Sequence, residues 1–363
     1  MIQPTMWKPD LPQALERLGA FWEREIVDRP CISIKAPKIP GTNVSPFLNT
    51  REYHGDKAAL VRHWTDPETI CRERVEEMSQ TFFGGEALPA VFQNYGTSGH
   101  CNYFGAQPEY GQDTIWFNPI LPDTAPEGFR YQPERLKPHL EIAQRLVDEA
   151  EGRYFVGMPD SCGTLDAICH LCGTENVLMD LADDPDQVLE AIKIVNAGWK
   201  DSCQKFYDIS REACGGTVHA WMDLWAPGKL MQMQCDLSVM LSPAMYAQVV
   251  MPELEEQCAW LDYPVYHFDG AEQIRHLDMI LSLPGLKAIQ WTNVAGQPSP
   301  VHYLDTLQRI QKAGVGLIVM TPPEDLPKLL DNLSARGLYI HTEAESQQEA
   351  ERLIAYTAAH FKA

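Results

Sequence analysis

The pattern of apolar and polar positions along this chain alternates between segments typical of helices and segments typical of strands. At the start, Leu11, Leu15 and Leu18 recur at helical spacing and predict an amphipathic helix over residues 10–25. Further along, short apolar runs closed by proline, glycine or polar residues predict strands. These runs lie at 31–37, 87–95, 154–158, 217–224, 263–270, 287–292, 315–320 and 338–342.

Helical segments separate most of these runs. Asp184 before Pro185 and Ser242 before Pro243 are typical of helix starts, because the side chain caps the first turn and proline fits its first position. About eight strands alternating with helices is the count of a (β/α)8 TIM barrel, here with an N-terminal helical extension. A doubly wound open sheet is the alternative. With no glycine- or serine-rich linker, we expect residues 1–363 to form a single domain.

Composition limits the kinds of molecule that the protein is expected to bind. The 363 residues are 45% hydrophobic and 22% charged, as in ordinary globular proteins. A formal net charge of -21 would repel nucleic acid and anionic membrane surfaces, so neither is expected as a partner. We expect a small-molecule substrate, and a homodimer is compatible with this composition.

The cysteines and the first residues bear on location. Ten cysteines are scattered along the chain without the spacing of a small disulfide framework. Residues 1–4 carry neither a basic start nor an apolar signal run. No apolar run approaches the roughly 20 residues that cross a bilayer. These features favour a cytoplasmic protein without a transmembrane segment.

Polar residues gather where the predicted strands end. In a barrel enzyme the working groups lie at the carboxyl ends of the strands, so these positions are candidates for a site. They are Tyr95 with His100, Asp160 with Cys162, His219 with Asp223, His267 with Asp269, Trp291 with Asn293, Thr321, and His341 with Glu343.

A metal site is one hypothesis for these residues. His267 and Asp269 are two apart on an extended strand and therefore point to the same side, as do His341 and Glu343. Imidazole and carboxylate bind divalent ions, zinc in particular, and three protein ligands leave one position for substrate. The predicted ligands are His267, Asp269 and either His341 or Glu343. The alternative is a histidine hydrogen-bonded to Asp269 without metal.

Other side chains are candidates for proton transfer and for the pocket wall. His219, Asp160 and Asp236 are predicted catalytic groups, because histidine and carboxylates move protons near neutral pH. The predicted substrate-binding residues are Tyr95, His100, Trp225 and Trp291. Cys169-x-x-Cys172 lacks a second pair at zinc-ribbon spacing and lies in a predicted helix, which favours a structural role.

Two segments resemble the uroporphyrinogen decarboxylase superfamily. They are the run Gly173-Thr174-Glu175-Asn176-Val177-Leu178-Met179-Asp180-Leu181 with Asp183-Asp184-Pro185, and the run Asp236-Leu237-Ser238-Val239-Met240-Leu241-Ser242-Pro243. The resemblance extends from about Cys31 to the C-terminus. It implies a (β/α)8 barrel and one of two activities. These are cofactor-free decarboxylation, and zinc-dependent methyl transfer between a corrinoid protein and a thiol.

The resemblance favours the methyltransferase branch. Decarboxylases carry an arginine-rich W-M-R-Q-A-G-R segment near the first strand, whereas this strand is Cys31-Ile32-Ser33-Ile34-Lys35-Ala36-Pro37. Methyltransferases have H-x-C-G where this chain has His267-Phe268-Asp269-Gly270. No cysteine follows Cys258 to act as a later ligand, so the implied site is harder than a thiolate site.

Within that branch, the chain is similar to proteins labelled by likeness to trimethylamine corrinoid proteins. The shared patterns are Thr114-Ile115-Trp116-Phe117 and Gly285-Leu286-Lys287-Ala288-Ile289-Gln290-Trp291. A corrinoid-binding D-x-H-x-x-G motif does not occur in the sequence, so a corrinoid would arrive on a partner protein.

The sequence therefore predicts a metal-dependent methyltransferase that moves a methyl group between a corrinoid protein and a small acceptor or donor. A lyase or hydrolase acting on a small polar molecule is an alternative, with Asp160, His219 and Asp269 as acid and base groups. A non-catalytic protein that docks a corrinoid protein is a third hypothesis. Uroporphyrinogen decarboxylation is disfavoured.

Overall fold

The computed structural model describes residues 5–45, 48–49 and 51–362. Residues 1–4, on which part of the location argument rests, lie outside this range. The strands are β1 (Cys31–Pro37), β2 (Thr81–Gly85), β3 (Ala90–Val91), β4 (Pro108–Tyr110), β5 (Ile115–Phe117), β6 (Phe155–Val156), β7 (Thr217–His219), β8 (Leu224–Ala226), β9 (Leu230–Met233), β10 (Tyr263–Phe268), β11 (Ala288–Trp291), β12 (Gly316–Met320) and β13 (Leu338–Glu343).

Helices alternate with most of these strands. They are α1 (Leu11–Trp22), α2 (Lys57–Thr65), α3 (Pro67–Gln80), α4 (Lys137–Ala150), α5 (Thr164–Cys172), α6 (Thr174–Asp183), α7 (Pro185–Cys214), α8 (Pro243–Val249), α9 (Met251–Trp260), α10 (Leu277–Leu281), α11 (Leu304–Lys312), α12 (Leu326–Asn332) and α13 (Gln347–Ala359). In the described residues, no helix is both long enough and apolar enough to cross a lipid bilayer.

Two predicted helix starts are confirmed. The Asp184 side chain accepts a hydrogen bond from the Gln187 amide at the start of α7, and Ser242 accepts one from the Met245 amide at the start of α8. Each cap satisfies a backbone donor that the helix itself leaves free.

A seven-stranded sheet forms the centre of the molecule. Its strand order is β2-β1-β13-β12-β11-β10-β9, and every neighbouring pair is parallel except β1 with β2. Parallel strands joined by helices require crossovers of one hand, which carry the helices to the outer side of a curved sheet. The predicted α/β architecture is therefore present, with the helical extension α1 before it.

Shorter pairs continue the strand order beyond this sheet. β3 pairs with β6 in parallel, and the Met158 amide after β6 donates to the Val218 carbonyl of β7 at 2.8 Å. The Leu230 amide of β9 donates to the Thr217 hydroxyl of β7 at 3.3 Å. These bonds connect β3, β6, β7 and β9 in order. Closure into an eight-stranded barrel stays a prediction.

The two faces of the sheet carry different side chains. One face packs against the helices through the large core that includes Ile32, Tyr266 and Phe268. The other, which we call the inner face, carries Cys31, Val265, Ala288, Ile318 and Tyr339, all in a second core with α1. Alternation along each strand produces this division.

Helix α1 covers the inner face at the amino ends of the strands. Phe21 lies 5.8 Å from the Tyr339 ring, and Trp22 lies 5.1 Å from the Tyr263 ring, measured between ring centres. The Trp22 indole also donates to the Trp225 carbonyl at 2.8 Å. One end of the inner face is thus sealed, so a ligand would approach from the carboxyl ends.

Several predicted elements are shorter or divided. The predicted strand 217–224 is instead the hairpin of β7 and β8, and β9 follows it where no strand was predicted. The predicted strand 87–95 is reduced to the two residues of β3. Buried polar residues interrupt both regions, so that neither apolar run forms one continuous strand. In the last third of the chain, the observed strands β10, β11, β12 and β13 agree closely with the predicted ones.

Candidate active site

Polar side chains follow apolar ones along the inner face. On β10 the order is Val265 then His267, and on β11 it is Ala288 then Gln290. On β13, Tyr339 is followed by His341. The apolar layer lies against α1, and the polar layer lies toward the carboxyl ends. This is where the strand-end argument predicted a site.

An open cleft of about 1060 Å³ lies at these strand ends. Its wall includes Lys35 in β1, Thr292 after β11 and His341 in β13. Trp221, from the turn between β7 and β8, completes the wall. The volume is at the upper limit of ordinary small-molecule sites.

Trp221 connects the cleft to two histidines and a carboxylate. Its ring lies 5.1 Å from that of His219 and 5.8 Å from that of His267, both in edge-on geometry. Its Nε1 donates to Asp160 Oδ1 at 3.2 Å, and Gln232 Nε2 donates to the same oxygen at 2.8 Å. Burial raises the pKa of Asp160, although these donors and His267 oppose the shift.

His219 is 1% exposed, and neither ring nitrogen has a hydrogen-bond partner. Burial lowers its pKa to about 3, because water no longer solvates the charged ring. Gln232 lies near enough to oppose that shift, without a hydrogen bond of ordinary geometry. His219 is therefore neutral at physiological pH, with unused hydrogen-bonding capacity.

His267 is half-buried and held by its neighbours on β11. Its Nδ1 contacts Gln290 Oε1 and lies 3.3 Å from the Thr292 hydroxyl. Because an amide oxygen can only accept, Nδ1 donates to it. Thr292 lines the cleft, so the ring lies directly beside it.

Carboxylates surround this part of the site. Burial raises the pKa of Asp236 to about 8, and the negative charges of Asp166 and Asp269 contribute. Gln234 donates to Asp236 Oδ2 at 3.0 Å, while Oδ1 has no partner. Asp166 accepts the amides of Asp236 and Leu237, each at 2.9 Å. Asp236 thus holds a proton at neutral pH.

A second polar group lies at the end of β1. Asp223 accepts from Ser33 Oγ at 2.7 Å and forms an ion pair of 2.7 Å with Lys35 Nζ. Tyr339 Oη donates to the Asp223 backbone carbonyl at 2.8 Å. Asp223 has a φ of +49°, which is uncommon for a residue with a side chain. Its neighbours hold that conformation.

His341 belongs to this second group. Burial lowers its pKa to about 4, and a hydrogen bond with the Met222 backbone opposes the shift. Its Nε2 is buried without a partner, although the ring lines the cleft. At neutral pH the ring is uncharged.

The predicted metal ligands are not brought together. His267 is on β10 and His341 is on β13, three strands along the sheet, which is about 14 Å at the usual strand spacing. Glu343 is exposed at the end of β13. Zinc ligands must all lie about 2 Å from the ion. Within the described residues, no three histidine, cysteine or acidic side chains are placed to hold a metal. The donor set does not fit the predicted zinc site.

The predicted substrate-binding aromatics lie elsewhere. Trp291 is 1% exposed on the helix-facing side, with its ring 5.2 Å from both Phe268 and Tyr303. Trp225 donates its indole N–H to the Cys214 carbonyl, near α1. Neither residue is among those that line the cleft, whereas Trp221 is.

Tyr95 and His100 lie behind Asp160. The three line a separate small cavity next to the site. Tyr95 stacks on His139 at 3.8 Å, and both ring nitrogens of His100 are buried without partners. Burial lowers the pKa of His100 to about 4. Tyr95 and His100 are not among the residues that line the cleft.

Some site residues were not predicted. Trp221 contacts His219 and His267, Gln290 contacts His267, Gln232 donates to Asp160, and Lys35 forms an ion pair with Asp223. The sequence did contain a signal for Gln290 and Lys35. Each lies two positions after an apolar or small residue of the inner face, and residues two apart on a strand point to the same face. No sequence pattern distinguishes Trp221 from Trp225.

Comparison with known proteins gives one finding about the fold. No family model matches the sequence, and no curated protein matches it. Among solved structures, the chain is similar to a methyltransferase from Methanosarcina mazei, with a TM-score of 0.61. The match covers 95% of this chain and 98% of that one, at 12% identity. The two proteins therefore share a fold over nearly their whole length.

Proposed function

We propose that this protein is an enzyme that transfers a methyl group between a small molecule bound in the cleft and a corrinoid held by a partner protein. The observation that carries the proposal is the cleft of about 1060 Å³ beside Trp221, His267 and Thr292. Its size leaves room for a small substrate and for part of a cofactor presented by a partner. The whole-length likeness to a protein described as a methyltransferase supports the same class.

The proposal includes the closed (β/α)8 barrel and the corrinoid branch of the uroporphyrinogen decarboxylase superfamily. A closed barrel would arrange the ends of all eight strands around one opening. The connected order of β3, β6, β7 and β9 supports this arrangement. The sealed amino ends support approach from the opposite side only.

The chain's own groups have distinct roles in this proposal. When bound, a corrinoid supplies the atom that accepts or donates the methyl group. Asp236 holds a proton at neutral pH and delivers it to the heteroatom that loses the methyl group. Neutral His219 accepts a hydrogen bond from the substrate, and His267, held by Gln290, orients the substrate beside Trp221. Trp221 excludes water from that side.

Methylcobalamin in place of the partner-bound corrinoid tests the reaction. Demethylation is followed by the change in the cobalamin absorption spectrum, with candidate methyl acceptors added one at a time. We expect catalysis by the native protein and a loss of about 100-fold in His267→Ala, because substrate orientation is removed. His302→Asn, at an exposed histidine, is the matched control. No spectral change with any acceptor would contradict the proposal.

The divalent metal stays a prediction, and no step above depends on it. Metal analysis of the purified protein tests it directly. A stoichiometric ion that is lost in both His267→Ala and Asp269→Asn would support a ligand set that assembles on binding. Full activity in a preparation without metal would remove these residues as ligands.

Lyase or hydrolase chemistry is a second candidate. It is favoured by the proximity of a carboxyl group that holds a proton, Asp236, to the carboxylate Asp160, an arrangement that suits acid–base catalysis without a cofactor. Turnover of a small polar substrate without any corrinoid would support this candidate over methyl transfer.

A further inference from the structure

We propose that Lys35 and His341, which together we call the hydroxyl subsite, bind the hydroxyl group of a neutral alcohol in the cleft. The hydroxyl oxygen accepts a hydrogen bond from Lys35 Nζ, and the hydroxyl hydrogen is donated to His341 Nε2. This inference rests on the proposed function, since it names the class of molecule that the same cleft would bind. The placement, the hydrogen-bonding capacity and the charge of these side chains carry it.

The two residues of the hydroxyl subsite lie on neighbouring strands. Strands β1 and β13 run parallel, with Ser33 paired to His341 and Lys35 paired to Glu343. Lys35 and His341 are therefore diagonal neighbours on the inner face, on strands about 4.8 Å apart. Both side chains line the cleft. One small polar group at the floor of the cleft can contact both.

His341 supplies an unused acceptor. Its side chain is 9% exposed, and its Nε2 is buried without a hydrogen-bond partner. The ring also bonds the Met222 backbone, and Nδ1 must make this bond because Nε2 has no partner. Burial lowers the pKa of the ring to about 4, so the ring is neutral at physiological pH. With the proton on Nδ1, Nε2 accepts a hydrogen bond from a ligand.

Lys35 supplies an unused donor. An ammonium group has three N–H donors. One is directed at Asp223 Oδ1 at 2.7 Å, and another at the Ala220 carbonyl at 3.4 Å. In the part of the chain that the structure describes, the Lys35 ammonium contacts no third acceptor. A buried donor and a buried acceptor, each without a partner and both lining the cleft, indicate a ligand that satisfies both.

Charge selects a hydroxyl over an ionised group. The positive charge of Lys35 is already balanced by Asp223, which also accepts from Ser33 at 2.7 Å. A carboxylate on the ligand would have no hydrogen to donate to His341, and an ammonium would have no lone pair for Lys35. Either ion would also lose its water in a buried site whose charges are already paired. A neutral hydroxyl both accepts and donates.

The adjoining wall of the cleft suits an apolar body attached to that hydroxyl. Trp221, Met320, Pro322 and Pro323 all line the cleft. Small-molecule sites commonly combine such an apolar surface with a few polar groups that fix the orientation of the ligand. The structure therefore points to an alcohol with a hydrocarbon or aromatic body.

Four probes of one shape test the class of ligand. They are benzyl alcohol, toluene, benzylamine as its ammonium ion, and benzoate. Binding to the full chain is measured by ligand-observed NMR titration at pH 7 without any corrinoid. We expect benzyl alcohol to bind about fivefold more tightly than toluene, which is the gain typical of a net hydrogen bond. The two ions should bind more weakly than the alcohol.

Variants of His341 locate the hydroxyl. In His341→Asn the shorter amide can keep the Met222 contact but places no acceptor at Nε2, so we expect benzyl alcohol to lose about fivefold in affinity while toluene is unchanged. The longer amide in His341→Gln reaches the Nε2 position and should recover most of the loss. His302→Asn, at an exposed histidine, is the control.

Lys35→Met should also weaken the alcohol, because the donor is lost. This variant leaves Asp223 without its cation, so thermal melts must first show that it folds. If it does not fold, His341→Asn decides the outcome. If both variants unfold, the four affinities of the native protein decide it.

Equal affinity for benzyl alcohol and toluene, tighter binding of either ion, or an alcohol preference that persists in His341→Asn would each overturn the inference. Because the titration contains no corrinoid, it separates the two proposals. Alcohol binding without methyl transfer would leave the hydroxyl subsite standing and remove the proposed function. Methyl transfer with a molecule that lacks a hydroxyl, without any alcohol preference, would do the opposite.

Discussion

Asp223 and Asp236 lie at the same end of the molecule in opposite kinds of surroundings. Asp223 has a lysine at 2.7 Å, a serine hydroxyl at 2.7 Å and a tyrosine on its backbone carbonyl. Asp236 has one amide donor, one unbonded oxygen and other carboxylates nearby. The first arrangement fixes a strained residue in place. The second raises the pKa of Asp236, so that this carboxyl holds a proton at neutral pH, and perturbed carboxyls of this kind are typical of functional sites.

The difference indicates that Asp223 stabilises the fold, whereas Asp236 is suited to a chemical role in the site. A buried ion pair with full hydrogen bonding holds one backbone conformation, here the positive φ of Asp223. A buried carboxyl without a cation has a raised pKa and can exchange a proton near neutral pH. Four substitutions test this comparison, in order of decreasing effect on the free energy of unfolding.

Asp223→Ala should have the largest effect. It leaves Lys35 partly buried without its partner and places alanine at a positive φ, so we expect a loss of about 3–5 kcal/mol in urea unfolding. Asp223→Asn is the control, because asparagine tolerates this backbone conformation and keeps the Ser33 contact. Equal stability of native protein and Asp223→Ala would show that Asp223 is not structural.

Asp236→Asn should stabilise the protein, and the gain should grow with pH. The folded-state pKa of Asp236 is about 8 and its unfolded value is near 4, so the folded state binds more protons between these limits. Native stability therefore falls as pH rises through this window, by at most about 1.4 kcal/mol per pH unit. We expect a gain of about 2 kcal/mol at pH 8. Urea unfolding from pH 5 to 8 measures it, and a constant difference would contradict the assignment.

Ser33→Ala should cost less, about 1.5–2 kcal/mol. The hydroxyl donates to the Asp223 carboxylate, and hydrogen bonds to charged groups contribute in this range. Ser33→Thr keeps the hydroxyl and is expected to recover most of the loss. Chemical denaturation of both variants measures the difference between their free energies of unfolding. If both variants lose the same amount, the hydrogen bond is not the cause.

Asp278→Asn should have the smallest effect, below about 0.5 kcal/mol. Its ion pair with Arg309 is 2.6 Å long, but the side chains are 86% and 46% exposed, and water screens the attraction. The measurement is the same unfolding experiment at low and at 0.5 M salt. A loss comparable to that of Asp223→Ala would mean that burial does not explain the difference between the two groups.

Residue patterns near in sequence were sufficient for the later strands and for helix starts. The strand that carries His267, the caps at Asp184 and Ser242, and the separation of the first helix from the sheet follow from local periodicity and backbone chemistry. The short strands β3, β6 and β7 were harder, because two or three paired residues leave almost no pattern.

The direction in which a side chain points depends on register, and a shift of one residue reverses it. Gln290 and Trp291 are neighbours, yet Gln290 reaches His267 while Trp291 packs among the helices. Trp291 was predicted to line the pocket, but the register of β11 points Gln290 to the inner face in its place. Trp221 enters the site only because β7 turns into β8 after His219.

The sequence by itself determined the alternation of helices and parallel strands, and it placed histidines and carboxylates at the strand ends, because those features depend on local spacing. Only the tertiary structure decided which side chains lie next to these histidines and carboxylates. Asp223 meets Ser33 from 190 residues away, and His267 and His341 are kept three strands apart. Long-range packing sets distances between charges, and those distances determine whether a carboxylate is paired, protonated or available to a ligand.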